Sequence, residues 1–166
     1  MWRIEHSKVI NRPVEVVWDF MTDLSNSPRW TQSGSELHQT SKGPLGVGST
    51  IESRRRLLGR FDIKSQALVL TEVEPNHALA YTGKVPLIRL GGARFVFEPT
   101  KGGTRLTWSS EGELGWAIRW LQPVFDRLVR WGQGIELANI KRLVEAAPDQ
   151  SHLESEKPLS TPVQGP

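Results

Sequence analysis

Apolar and polar residues alternate from Trp2 to Ile10, with Trp2, Ile4, His6 and Ile10 in one phase. That period of two predicts a strand with one buried face. Asn11-Arg12-Pro13 follows, and proline suits a first helical turn. Val14, Val17, Trp18 and Met21 then recur at helical spacing, predicting a short amphipathic helix. Asp23 or Ser25 suits the cap of a second short helix, with Pro28 near its end and Trp30 closing it. From Glu36 the period returns to two. Strands are predicted over Glu36–Thr40, Ser49–Leu58, Arg60–Glu74, Ala78–Gly83, Ala93–Glu98 and Thr104–Glu113. Gly59, Pro75-Asn76-His77 and Thr100-Lys101-Gly102-Gly103 supply turns, and residues 84–92 read as a loop. In Leu114–Ala147 the apolar positions Ala117, Leu121, Val124, Leu128, Trp131, Ile135 and Ala138 fall in steps of four and three. This is a helix stripe, which Pro123 begins or kinks.

Strands joined by short turns imply an antiparallel meander of about seven strands, so the fold class is α+β. A strongly bent sheet with its helices on one side leaves a space beneath the last helix. Residues 1–147 form the predicted domain. The segment 148–166, PDQSHLESEKPLSTPVQGP, is too polar and proline-rich to bury much surface, and is expected to be a disordered tail.

Composition narrows the chemistry. The chain has no cysteine, which excludes disulfides, thiolate metal sites and a cysteine nucleophile. Its four histidines, at 6, 38, 77 and 152, are far apart, so neither a metal site nor a cofactor is expected. No leader-like apolar run follows Met1 and no stretch approaches a spanning length, so a cytoplasmic protein without stable membrane insertion is expected. The net charge of +3 is mild and the arginines are scattered rather than gathered in one block. That is weak footing for nucleic-acid or anionic-membrane contact, and no nucleic-acid partner is expected. The glycine-rich Gly43–Gly48 lacks the lysine and the strand-to-helix setting of a phosphate loop.

Three segments resemble one known superfamily. Residues Ile10-Asn11-Arg12-Pro13-Val14-Glu15-Val16-Val17-Trp18-Asp19-Phe20, with Asp23 and Pro28-Arg29-Trp30, look like the opening of START-like (SRPBCC) proteins, and more narrowly of the polyketide cyclase/dehydrase and lipid-transport group. Phe97-Glu98-Pro99-Thr100 and Gly102–Trp108 resemble that group's late hairpin, and Glu136–Glu145 its final helix. The resemblance implies a helix-grip fold, a curved antiparallel sheet wrapped around a long C-terminal helix with a deep cavity for lipids, polyketides or sterols. It does not select a function, because members include cyclases, carriers and sensors. No catalytic signature in the sequence selects one either.

Strand phase suggests a lining for that cavity. In the long central strand the odd positions Phe61, Ile63, Ser65, Ala67 and Val69 are read as inward. The expected ligand-binding residues are His6, Ser53, Arg55, Ile63, Ser65, Ala67, Tyr81, Phe95 and Trp108, with Ile51 beside them, roofed by Leu121, Val124, Leu128 and Trp131. Such an apolar wall with a few polar groups is the usual makeup of a small-molecule site, and each apolar member has solid core as its plainer reading. Arg55 must be paired, hydrated or outward, and a bulge in the strand would reverse its phase. His6 is an acid or base near neutral pH, or simply a hydrogen-bonded wall residue. Three functions stay open. One is binding or transport of a hydrophobic small molecule; another is a cyclase or dehydratase that folds a reactive chain, with His6, Arg55 or Tyr81 as polar handles. The third is a stress or regulatory module that docks a protein through Trp116 and Trp120. A homodimer is compatible with any of them.

Overall fold

The computed structural model describes residues 2–32, 34–57, 61–85 and 88–147, with backbone alone at 55–57, 61–67, 84–85, 88–90 and 117–118. The expected tail at 148–166 lies outside the described residues. Seven strands form one antiparallel sheet: β1 (Trp2–Ile10), β2 (Glu36–Gln39), β3 (Thr50–Leu57), β4 (Phe61–Glu74), β5 (Ala78–Val85), β6 (Ile88–Thr100) and β7 (Gly103–Leu114). Their order across the sheet is β1-β7-β6-β5-β4-β3-β2. The first strand thus leaves its chain neighbours to pair with the last, and the rest is a meander. Between β1 and β2 lie α1 (Val14–Thr22), a 3-10 turn (Leu24–Asn26) and α2 (Ser27–Trp30). Asp23 accepts from the Ser25 amide, as the sequence suggests, but Pro28 opens α2 instead of ending it. The described part of the chain ends with a 3-10 segment (Trp116–Leu121) and α3 (Gln122–Ala146), whose first turn contains Pro123. This is the helix-grip arrangement.

The core is a layer between the sheet and its helices. Ile10, Val17, Trp18, Phe97, Leu106, Leu137, Ile140 and Val144 are buried in it. Trp18 meets Phe97 edge-to-face at 5.2 Å, fixing α1 against the sheet. A smaller cluster joins Trp2, Ile4 and Leu114 to Phe125 and Val129 of α3. The far end of α3 is tied to the corner after β1. The Asn11 amide donates to Glu145 (2.7 Å), Lys141 donates to the Val9 carbonyl (2.8 Å), and Arg12 donates to the Ala147 carbonyl. Lys141 and the Asn11 amide hold the Glu145 carboxyl below its ordinary value.

Three expectations are corrected. Residues 84–92 are not a loop: β5 runs to Val85 and β6 starts at Ile88, so Gly91 and Gly92 sit inside a strand. Glycine reads as a breaker in sequence, yet a ladder held from both sides tolerates it. The phase of β4 also changes along its length. Val69 is 36% exposed, while Leu68 and Leu70 face the core. Pairing slips between Glu52 and Ser53, and again between Leu70 and Glu72, so β4 carries an extra residue at each point. A bulge reverses the alternation beyond it and bends the strand, which curls this sheet.

The third correction concerns the roof. Leu121, Val124, Leu128 and Trp131 lie on the exposed side of the C-terminal segment. The buried side of α3 is Phe125, Val129, Gln133, Leu137, Ile140 and Val144. Both stripes have helical spacing, and they lie on opposite sides of a helix with 3.6 residues per turn. A glutamine in the middle of the buried stripe made the other look more apolar.

Candidate functional site

The site is set by which residues register places on the helix side of the sheet. His6 pairs with Trp108, and Trp108 with Phe95. Next along, Ile4 pairs with Ser110, Ser110 with Ala93, Ala93 with Tyr81 and Tyr81 with Leu70. The following row reads Trp2, Gly112, Gly91, Gly83 and Leu68. Strand alternation puts all three rows on the same face. Three adjoining strands therefore present no side chain at neighbouring positions on the face that α3 covers. Glycine inside a strand marks a place where something else comes close to the backbone.

Unpaired polar atoms share this face: Gln133 bonds to the row next to the glycines, and His6 and Trp108 stand one row further on. Gln133, buried on α3, donates through Nε2 to Ser110 Oγ (2.7 Å). Its Oε1 is buried with no hydrogen-bond partner, and so are His6 Nε2 and Trp108 Nε1. Each such atom costs about 1–3 kcal/mol relative to a satisfied one, so their shared face calls for a guest molecule or water. Trp108 Nε1 can only donate, Gln133 Oε1 can only accept, and His6 Nε2 can do either. That combination suits a hydroxyl, which both donates and accepts, or a carbonyl oxygen accepting from Trp108 and His6, on an otherwise apolar molecule.

Tyr81 adds a fourth polar group. Its hydroxyl is pushed up to about 12 by burial and, secondarily, by the Glu136 carboxylate. Glu136 itself accepts from the Gln32 amide (2.9 Å). A phenol that titrates higher in the fold than in the unfolded chain holds its proton more tightly when folded. Its contribution is complete below about pH 10 and is lost as pH rises towards 12. We expect unfolding free energy to fall by on the order of 2 kcal/mol across that range. Urea titrations at stepped pH check this, and Tyr81→Phe should flatten the slope.

The structure brings together His6, Tyr81, Phe95 and Trp108 of the expected lining. Phe95 and Trp108 are largely core, their rings tilted against each other at 4.9 Å, with Trp30 against Trp108 at 6.4 Å. Ser53 is half-buried on the face of Ile51. The side chains of Arg55, Ile63, Ser65 and Ala67 lie outside the described residues; in backbone register Ser53 faces Ser65 and Arg55 faces Ile63. Gln133, Ser110 and the glycine row were missed in the sequence. Gly91-Gly92 and Gly112 were the available signal, but only strand register shows that they adjoin.

A cleft of about 370 Å³ opens behind the same strands, lined by Arg3, Thr82, Arg94 and Glu111 and also by Gly91, Ser110 and Gly112 of the rows above. Its main charge is already answered. Arg94 donates twice to Glu72, at 2.6 and 2.8 Å, and holds that carboxyl below its ordinary value. Among the described residues no three His, Asp or Glu side chains gather where they would hold a metal. His38 and His77 sit on the surface beside Glu36 and Glu74. None of the described helices is long and apolar enough to cross a membrane.

Solved structures share this architecture. Protein TTHA0849 from Thermus thermophilus is 16% identical with a TM-score of 0.71, covering 89% of this chain and 100% of its own. Protein CV1439 from Chromobacterium violaceum is 19% identical with a TM-score of 0.68, covering 87% and 99%. SA2116 from Staphylococcus aureus, a protein of unknown function, is 10% identical with a TM-score of 0.70, covering 87% and 93%. At such identities the likeness concerns the fold alone. No curated protein matches the sequence. The family model for polyketide cyclase / dehydrase and lipid transport matches residues 1–145. That span takes in every strand and all but the last residue of α3, so the chain belongs to this family.

Proposed function

We propose that the protein binds and carries a hydrophobic small molecule bearing a hydroxyl or carbonyl group, seated between the glycine row and α3. The observation that carries this reading is the set of three unpaired buried polar atoms, on His6, Trp108 and Gln133, on the same sheet face as a row of strand positions with no side chains. Apolar burial supplies the affinity at about 25 cal/mol per Å². The polar atoms supply orientation, since an oxygen placed among them satisfies groups that are otherwise costly.

Native mass spectrometry of the purified protein, followed by thermal shifts across fatty acids, sterols and aromatic polyphenols, tests the reading. A retained small molecule, or stabilisation by one class, supports it. A bare mass with no shift from any class overturns it. Gln133→Leu sharpens the test. In the ligand-free protein the change removes an unsatisfied acceptor and, against it, the bond to Ser110, so the two offset and stability should move by no more than about 1 kcal/mol. Affinity for a hydroxyl-bearing ligand, which can donate to Gln133 Oε1, should fall about tenfold, the value of one lost hydrogen bond, while that for a plain hydrocarbon chain is unchanged.

A further inference from the structure

The C-terminal segment turns an apolar surface away from the fold. The chain has seven tryptophans. Trp2, Trp18, Trp30 and Trp108 are buried, but Trp116, Trp120 and Trp131 are 87%, 77% and 61% exposed. Val124 and Leu128 extend the surface along α3, and Leu121 joins it to the 3-10 segment. This stripe is opposite the side that packs on the sheet, so nothing within the described residues covers it. A contiguous surface of this kind on a small domain marks an interaction site.

The charges around it identify the partner. Arg119, Arg127 and Arg130 are exposed in the same segment, and helical spacing sets Arg127 and Arg130 along one flank of Val124, Leu128 and Trp131. None of the three has a carboxylate partner among the described residues. Asp126 is the one acid between residues 115 and 131, against these three arginines. Net charge hides this, because the excess over the whole chain is only +3. A second copy packed antiparallel on the stripe would bring arginine towards arginine. A bilayer of anionic lipid answers both features. Tryptophan rings favour the headgroup level, aliphatic side chains enter the acyl boundary, and arginines meet phosphate and carboxylate headgroups.

We propose that residues 116–131 form a docking face for the surface of an anionic phospholipid membrane, with α3 lying in the interfacial plane and not spanning it. This proposal is independent of the ligand reading and can hold if that reading fails. The test uses the full chain in flotation assays with phosphatidylcholine vesicles, with and without roughly 30% phosphatidylserine, at about 0.1 M salt. Binding should be at least about tenfold stronger on the anionic vesicles and should weaken as salt is raised. Brominated lipids should quench tryptophan fluorescence. Arg127→Glu with Arg130→Glu should remove the anionic preference, and Trp116→Ser with Trp120→Ser and Trp131→Ser should remove the quenching, both with unchanged far-UV circular dichroism. Absence of wild-type binding, or equal binding to both vesicle types, overturns the proposal. So does a dimer in light scattering that the tryptophan variant dissolves while vesicles bind neither protein. Unaltered binding by the arginine variant overturns it too.

Discussion

Gly103→Ala should destabilise the fold by at least about 3 kcal/mol, among the larger effects a single methyl group can have. Gly103 ends the hairpin between β6 and β7 with φ at +137°, a conformation that side chains rarely adopt. A Cβ there would lie 2.1 Å from the Ile10 carbonyl oxygen, 2.8 Å from the Arg12 amide nitrogen and 2.9 Å from the Asn11 Cα. All three obstacles are backbone, so no rotamer change relieves them. The corner they belong to cannot drift easily. Thr104 Oγ1 donates to the Arg12 carbonyl (2.8 Å), and the Asn11 amide donates to Glu145 at the end of α3. Moving the corner therefore strains the junction of β1, β7 and α3 together. Denaturant unfolding measures the loss, and for a domain of this size the melting temperature should drop by roughly 10 °C. Gly102→Ala is the control, because a Cβ there meets nothing within 4 Å. It should stay within about 0.5 kcal/mol of wild type. A Gly103→Ala protein within ~1 kcal/mol of wild type, the scale that separates ordinary from severe substitutions, would show that the corner gives way.

The same corner explains why the fold was legible in the sequence. Asn11-Arg12-Pro13 and the Thr100–Gly103 turn are punctuation whose meaning is local, and local signals fix where elements begin and end. Alternation fixed the phase of β1 and β7, where Ile4, Ile10, Leu106 and Trp108 are buried as their spacing requires. It failed in β4, because a bulge depends on how two strands pair and leaves no mark in one strand's own pattern. The phase inferred from Phe61, Ile63 and Ser65 could not be carried through to Val69 across the first slip. The α3 stripe failed for a different reason. The helix has two apolar sides, and the better-patterned one is Val124, Leu128 and Trp131, which the sheet does not touch. Hydrophobicity alone says that a face wants cover, not what covers it. The candidate site was the least legible part. Its defining feature is three glycines from β5, β6 and β7 brought side by side by register, and its polar anchor is a glutamine that single-sequence pattern reading scores against burial.

Gly112→Leu should abolish ligand binding while leaving the fold intact, and this contrast separates a built site from an accident of packing. Gly112 stands between Trp2 and Gly91 in the bare row, two residues from the Ser110 that holds Gln133. A leucine there projects onto the face that α3 covers, where the proposed molecule would lie. If the strip is kept clear for a guest, the side chain enters space the ligand-free protein does not fill. Stability then stays level or rises by about 0.5–1 kcal/mol, since glycine in a strand interior is itself costly. Affinity for any molecule that stabilises the wild type should fall by at least about a hundredfold, because a leucine and an apolar chain cannot occupy one volume. If instead neighbouring side chains already close the strip, the extra carbons overpack the core and cost about 1–3 kcal/mol. Melting curves and ligand titrations on one preparation distinguish the two. A destabilised Gly112→Leu protein with unchanged affinity would place the guest elsewhere and dissolve the case for the glycine row. A stable protein that no longer binds would locate the guest against the exposed backbone of β6 and β7, where three neighbouring strands withhold their side chains together.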